Sequence, residues 1–179
     1  MATRETSTGR RGFDAVEEWL EARGVRHSVI EHEPTMTAQE QARATDVELS
    51  SVAKTIALRD HGEYVMAVIP AGRRVDESRV RSVLGRSAHL RLATEQEMAE
   101  DLDRFEVGAL PPFGPMLPVP EIVDVRLLRH ETVVCAGGDH RHSLVVEPRE
   151  LLRIAEPRVA DICRPESDAH SRFHELPWP

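Results

Sequence analysis

The sequence predicts a mixed α/β fold: one domain with a mixed, largely antiparallel central sheet flanked by short helices. Three observations predict it. The chain has 179 residues with 40% hydrophobic content, enough for one domain with a proper core. Capped helical segments interleave with short β-branched runs. Several of those runs follow one another through short polar links, which suits hairpins better than a doubly wound parallel sheet.

The elements follow in order. Residues 1–11 show no pattern of burial and read as disordered; residues 12–163 form the domain. "FDAVEEWLEARG" places Phe13, Val16, Trp19 and Leu20 at helical spacing, with Gly24 as its stop. "VRHSVIEH" reads as a strand. Thr37 and Glu40 stand at capping-box spacing and open a helix over "TAQEQARAT". "KTIALRD" and "EYVMAVIPAG" are strands joined by a hairpin through His61 and Gly62. Asp76 caps a helix that Gly85 ends, "HLRLA" is a strand, and Thr94 with Glu97 caps another helix. Three strands follow a proline-rich loop: "EIVDVRLL", "ETVVCAGG" and "HSLVVEP". Pro148 starts the helix "PRELLRIAE", and "PRVADIC" forms a final short segment. Residues 164–179 have no periodicity and read as a tail, frayed or docked as a peptide.

Composition narrows the function classes. No run approaches the roughly 18–20 apolar residues of a membrane span, and the N-terminus lacks a secretory signal's apolar stretch, so a soluble cytoplasmic protein with no membrane partner is expected. The formal net charge is −8, so a nucleic-acid partner must meet a local patch. "RRVDESRVRSVLGRSAHLR", residues 73–91, is the candidate, with Arg73, Arg74 and Arg79 leading it; the same run also reads as a solvated helix face. Cys135 and Cys163 make no disulfide framework.

Lys54 is the only lysine among 23 basic residues. A compact ammonium suits a confined site where a planar guanidinium would not fit, and the run "SSVAKTIAL" argues against a surface position. "EVGALPPFGP", residues 106–115, is too broken for a helix and too rich in proline for an inner strand. Gly108 leaves its backbone uncovered, while Pro111, Pro112 and Pro115 stiffen the loop. "AGGDHRH" adds a second glycine turn beside His140. One cation, pre-oriented backbone donors and an imidazole can orient and polarise an ester without a covalent nucleophile.

Other chemistries find less support. The chain has no GxxxxGK[ST] loop, no GxGxxG after a strand and no HExxH. His140 and His142 would share a face if they lay on a strand, with His130 or Cys135 as a third ligand, but no fourth ligand suggests itself. Cys135 with His140 is a candidate nucleophile pair, although a thiol in an apolar strand is more often packing. No metal or cofactor is expected.

Together, "TAQEQARAT", "VAKTIAL", "VMAVIPAGRRVD", "RLATEQEM", "EVGALPPFGP" and "CAGGDHRHSLVVEPRELLRIAEPRVADI" resemble the YbaK-type aminoacyl-tRNA deacylases. These are free-standing relatives of the editing domain of bacterial prolyl-tRNA synthetases. The resemblance covers roughly residues 25–163. It implies hydrolysis of the ester between a wrong amino acid and the tRNA 3′ end, most often alanine or cysteine on proline tRNA. Lys54 matches the signature lysine, implying contact with the terminal nucleotide or the aminoacyl carbonyl. Gly108 matches the glycine whose backbone holds the aminoacyl group or water, and Pro112 the proline that shapes the loop. His140 matches a histidine that only some members carry. Thr55 leaves the amino-acid preference open, because some alanine-specific members have asparagine there. Ala109, Pro111, Phe113, Gly137 and Gly138 complete the implied substrate pocket. The implied partners are aminoacyl-tRNA and, as a candidate, prolyl-tRNA synthetase. The alternative is a catalytically inactive module of the same fold that binds a tRNA acceptor end or a synthetase.

Overall fold

The computed structural model describes residues 10–166. The expectations for residues 1–9 and for the tail from 167 onward lie outside the described residues. Five α-helices, three 3-10 turns and eight strands make up the described part. The helices are α1 (Gly12–Glu21), α2 (Ala38–Ala44), α3 (Glu77–Leu84), α4 (Glu95–Asp101) and α5 (Pro148–Ala155). The strands are β1 (His27–Glu31), β2 (Val52–Asp60), β3 (Glu63–Pro70), β4 (Arg91–Leu92), β5 (Glu121–Asp124), β6 (Val133–Ala136), β7 (His142–Val146) and β8 (Arg158–Ala160). No helix among the described residues is long and apolar enough to cross a membrane.

Local chemistry explains most boundaries. The Thr37 and Thr94 hydroxyls accept from the Glu40 and Glu97 amides, and both glutamates reach back to the cap, closing two capping boxes. Asp76 accepts from the Ser78 and Arg79 amides, and Gly85 ends α3 at φ +61°. His61 and Gly62, at φ +50° and +89°, make the two-residue turn between β2 and β3.

All eight strands form one sheet, ordered β1-β7-β6-β2-β3-β5-β8, with β4 also on β2. Four pairings are antiparallel and three, β2–β6, β3–β5 and β5–β8, are parallel. Two expected strands are shorter than read. "EIVDVRLL" is extended only to Asp124, whose carboxylate accepts from the Arg126 amide and turns Val125–Arg129 into a 3-10 helix. "HLRLA" keeps only Arg91 and Leu92, where β4 meets Leu58 and Arg59.

The sheet separates two different layers. One face buries Val16 and Leu20 of α1, Ala53 and Ala57 of β2, and Leu110 and Phe113 of the proline loop in a single cluster. On the other face α2 sets Ala42 over Val52 and Val134, and α3 sets Val80 among Leu58, Ile69 and Ile122. Strand alternation therefore sends Ala53, Thr55 and Ala57 to the proline-loop face, and Val52 and Lys54 to the α2 face.

Candidate active site

Lys54 is exposed, not recessed as the apolar run around it suggests. It leaves β2 on the face opposite the one that buries Leu110 and Phe113. Its surroundings follow from register. Ala53 stands opposite Cys135, so Lys54 is level with Ala136, and Ala136 stands opposite Ser143. Ser143 in turn pairs with Ile30. One row thus crosses four strands on the α2 face: Lys54, Ala136, Ser143, Ile30. Lys54 and Ser143 are two strand spacings apart, roughly 10 Å between Cα atoms. The small, half-buried Ala136 leaves the row low between them.

Beside this row the sheet is interrupted. On one edge of β2, β6 pairs with Val52 and Ala53, and β4 pairs with Leu58 and Arg59. The Ala57 carbonyl accepts from the Ala93 amide at 2.9 Å, which aims the backbone groups of odd-numbered β2 residues at this edge. Thr55 sits in the break with no strand partner on that edge among the described residues. Its buried hydroxyl also has no hydrogen-bond partner.

The far end of the row is densely hydrogen-bonded. His32 Nε2 and Gln41 Nε2 each lie 2.8 Å from Ser143 Oγ, and His32 Nδ1 lies 2.8 Å from the Glu33 carbonyl. The sequence reading missed all three side chains. His32 and Ser143 are 111 positions apart, and the only hint is a serine inside the apolar run of β7.

His140 fastens the rim. Its Nδ1 is 2.8 Å from the Thr35 carbonyl and its Nε2 is 3.0 Å from the Val107 carbonyl. The ring lies between the segment before α2 and the start of the proline loop, with a backbone carbonyl facing each nitrogen; a neutral ring donates to one of them and only an imidazolium donates to both. Gly108 adopts φ +89°, and a Cβ there would stand 3.4 Å from His140 Cε1. Gly108 is exposed, while Ala109, Pro111, Pro112 and Phe113 are buried in the core. Most of the loop is thus a plug, and only its first residues reach the rim.

Gly137 and Gly138 are buried against the start of α1. A Cβ on Gly138, at φ +97°, would meet the Gly12 carbonyl oxygen at 2.8 Å, and one on Gly137 would meet the His142 oxygen at 2.8 Å. The Gly138 carbonyl accepts from the Glu106 amide at 3.1 Å. His142 bonds Asp139 and stacks on Phe13 at 4.1 Å, so it does not converge with His140. Among the described residues no three His, Cys, Asp or Glu side chains gather as metal ligands would. Cys135 is fully buried; burial, then the charge of Glu121, pushes its thiol far up, which suits packing rather than attack. A cleft of about 560 Å³ opens on the α1 side of the 137–142 turn and is lined by Phe13, Arg104, Glu106 and Asp139. It includes none of Lys54, Gly108 and His140.

The arginine run is largely neutralised. Arg73 pairs with Glu166, Arg79 with Asp161 at 2.8 Å, Arg86 with Glu63 at 2.6 Å and Arg91 with Glu97 at 2.7 Å. Arg74 is exposed and forms no ion pair among the described residues.

Comparison with known proteins places this arrangement. The family model of the aminoacyl-tRNA editing domain matches residues 32–154. The uncharacterized protein YwhH of Bacillus subtilis (strain 168) is 32% identical over 142 residues, covering 77% of this chain and 88% of YwhH. A solved structure of a protein proposed as a trans-editing enzyme for prolyl tRNA synthetase superposes with TM-score 0.77 at 30% identity, over 86% of this chain and 97% of that one. The crystal structure of hypothetical protein APE2540 gives TM-score 0.75 at 31% identity, over 83% and 99% of the two chains. The matched segment spans the row at Lys54, the proline loop and the glycine–histidine turn, and the chain belongs to the aminoacyl-tRNA editing domain family.

Proposed function

We propose that this protein is a trans-editing deacylase that hydrolyses the ester of a mischarged tRNA, with alanine or cysteine on proline tRNA as the first substrates to test. Family membership and the likeness to a protein proposed as a trans-editing enzyme for prolyl tRNA synthetase support the reaction class. The observation that carries the reading is the row from exposed Lys54 over the small, half-buried Ala136 to buried Ser143, beside the break in the sheet at Thr55.

In this reading Lys54 holds the terminal nucleotide or the aminoacyl carbonyl, and Gly108 offers backbone groups at the rim. His140 acts as a positioning residue, since its nitrogens already face the Thr35 and Val107 carbonyls. Water adds to the ester carbonyl, helped by the substrate's own ribose hydroxyl. The carbon–oxygen bond to the ribose then breaks, the ribose oxygen takes a proton, and the amino acid leaves. Buried Cys135 has no part in this route. Thr55, in the break, helps set the amino-acid preference through its unpaired backbone edge, and only the first residues of the loop, at the rim, limit the space a side chain can occupy. Of Arg73, Arg74 and Arg79, Arg74 is the one free among the described residues to meet a phosphate.

Purified protein incubated with proline tRNA charged with alanine, cysteine or serine tests the proposal. Release of amino acid above the buffer rate is expected for at least one charge. Lys54→Ala and Lys54→Arg should each slow it by about 10²–10³-fold, the cost of removing one oriented donor. No release from any of the three overturns the enzyme reading for that tRNA and leaves a binding module of the same fold. Full activity in Lys54→Arg overturns the role given to the ammonium.

A further inference from the structure

The hydrogen bonds around Ser143 have a direction that chemistry fixes. A carbonyl oxygen only accepts, so His32 Nδ1 must donate to the Glu33 carbonyl, 2.8 Å away. In the neutral ring, Nε2 is then the acceptor. Ser143 Oγ, 2.8 Å from it, gives its one proton to His32. That leaves Ser143 Oγ only lone pairs for Gln41, whose amide must present its NH₂ at 2.8 Å. Gln41 carries its oxygen on the same amide carbon, so that oxygen points away from Ser143. Ser143 is completely buried beneath this arrangement, while Gln41 is partly exposed. Among the described residues the Gln41 oxygen takes no hydrogen bond.

We propose that the Gln41 side-chain oxygen, held by the chain from the Glu33 carbonyl through His32 and Ser143, accepts the α-ammonium group of the aminoacyl ester. The proposal rests on the deacylase reading and adds to it how the substrate is oriented. Lys54 and Gln41 flank Ala136 from opposite ends of the row. A cation at one end and a fixed acceptor at the other polarise the space between them. An aminoacyl ester has matching polarity: a cationic amine on one side of the carbonyl carbon, and electron-rich ester and phosphate oxygens on the other. Lys54 repels the ammonium and attracts those oxygens, so the amine faces Gln41. The substrate class is therefore an ester of an amino acid with a free amine; N-acylated esters are excluded.

The probe is a pair of non-hydrolysable adenosine conjugates carrying alanine through an amide at the 3′ position, one with a free amine and one N-acetylated. Their binding to the full chain is measured by calorimetry, alongside hydrolysis of alanyl-tRNA and N-acetyl-alanyl-tRNA. Wild type should bind the free amine about 10- to 100-fold more tightly, as one charge-assisted hydrogen bond allows. Gln41→Leu should erase that preference, and Gln41→Glu, whose carboxylate cannot donate to Ser143 but attracts the ammonium by its charge, should retain it. Ser143→Ala frees the Gln41 amide to rotate and should reduce the preference in part, with thermal unfolding used to confirm that each variant is folded. Equal binding of the two conjugates by wild type, or an unchanged preference in Gln41→Leu, overturns the proposal even where alanyl-tRNA is hydrolysed. A preference that Gln41→Leu erases, found without hydrolysis of any charged tRNA, supports the amine site and overturns the deacylase reading instead.

Discussion

The two faces of the sheet treat polar groups in opposite ways. Under the proline loop, Glu121 is buried with one carboxylate oxygen unpartnered, and the Thr55 hydroxyl is unpartnered as well. On the α2 face, His32, Gln41 and Ser143 satisfy one another, and Lys54 stands in the open. The loop that looks like a substrate wall in the sequence is mostly core: Phe113 is 1% exposed and stacks near Trp19 at 5.6 Å. Rigidity is concentrated on one face and the proposed recognition row lies on the other, and the two meet only at the rim held by His140.

The largest effect that separates the faces is on stability. Phe113→Ala should cost about 3–5 kcal/mol, seen as a lower midpoint in denaturant, with any surviving folded protein still active. A loss of activity in folded protein, with little loss of stability, would move Phe113 from core to site.

A second test uses Glu121. Burial raises its carboxyl from 4.5 to about 8, against the lowering effect of the Gly114 amide that donates to it. The folded state therefore holds this proton more tightly than the unfolded chain does. The group's contribution to stability is complete below pH 4.5 and is lost as pH rises through about 8. Denaturant midpoints should fall over that window, and Glu121→Gln should flatten the fall. The same slope in the variant would assign it to other groups.

Smaller effects belong to the rim and the open face. His140→Ala should slow deacylation about tenfold while stability changes little, since it releases Thr35 from Val107 without emptying the core. A pH–rate profile that keeps its shape in this variant supports positioning over proton transfer. Thr37→Ala removes the cap of α2 and should cost about 1 kcal/mol in a thermal melt.

What the sequence revealed follows the range of each interaction. The caps at Thr37, Asp76 and Thr94 and the His61–Gly62 turn act within a few residues, and all could be read directly. The end of β5 could not. Buried Asp124 would be raised by desolvation, but amides of Arg126 and of distant Ile162 hold its carboxyl low and bend the chain there. For the proposed site, the sequence nominates Lys54, Gly108 and His140 by residue type, but not the sheet face on which each stands. Alternation assigns Lys54 to a face only once its neighbours are known, and the partners of Ser143 come from the residue just after β1 and from α2, more than a hundred residues upstream.

The claim that the ester lies across the row on the α2 face is tested most directly by filling the row. Ala136→Leu should fold with a near-native melt and lose at least about tenfold in single-turnover hydrolysis of alanyl-tRNA, because the larger side chain occupies the space between Lys54 and Gln41. Hydrolysis at the wild-type rate by folded Ala136→Leu protein would show that the ester binds elsewhere.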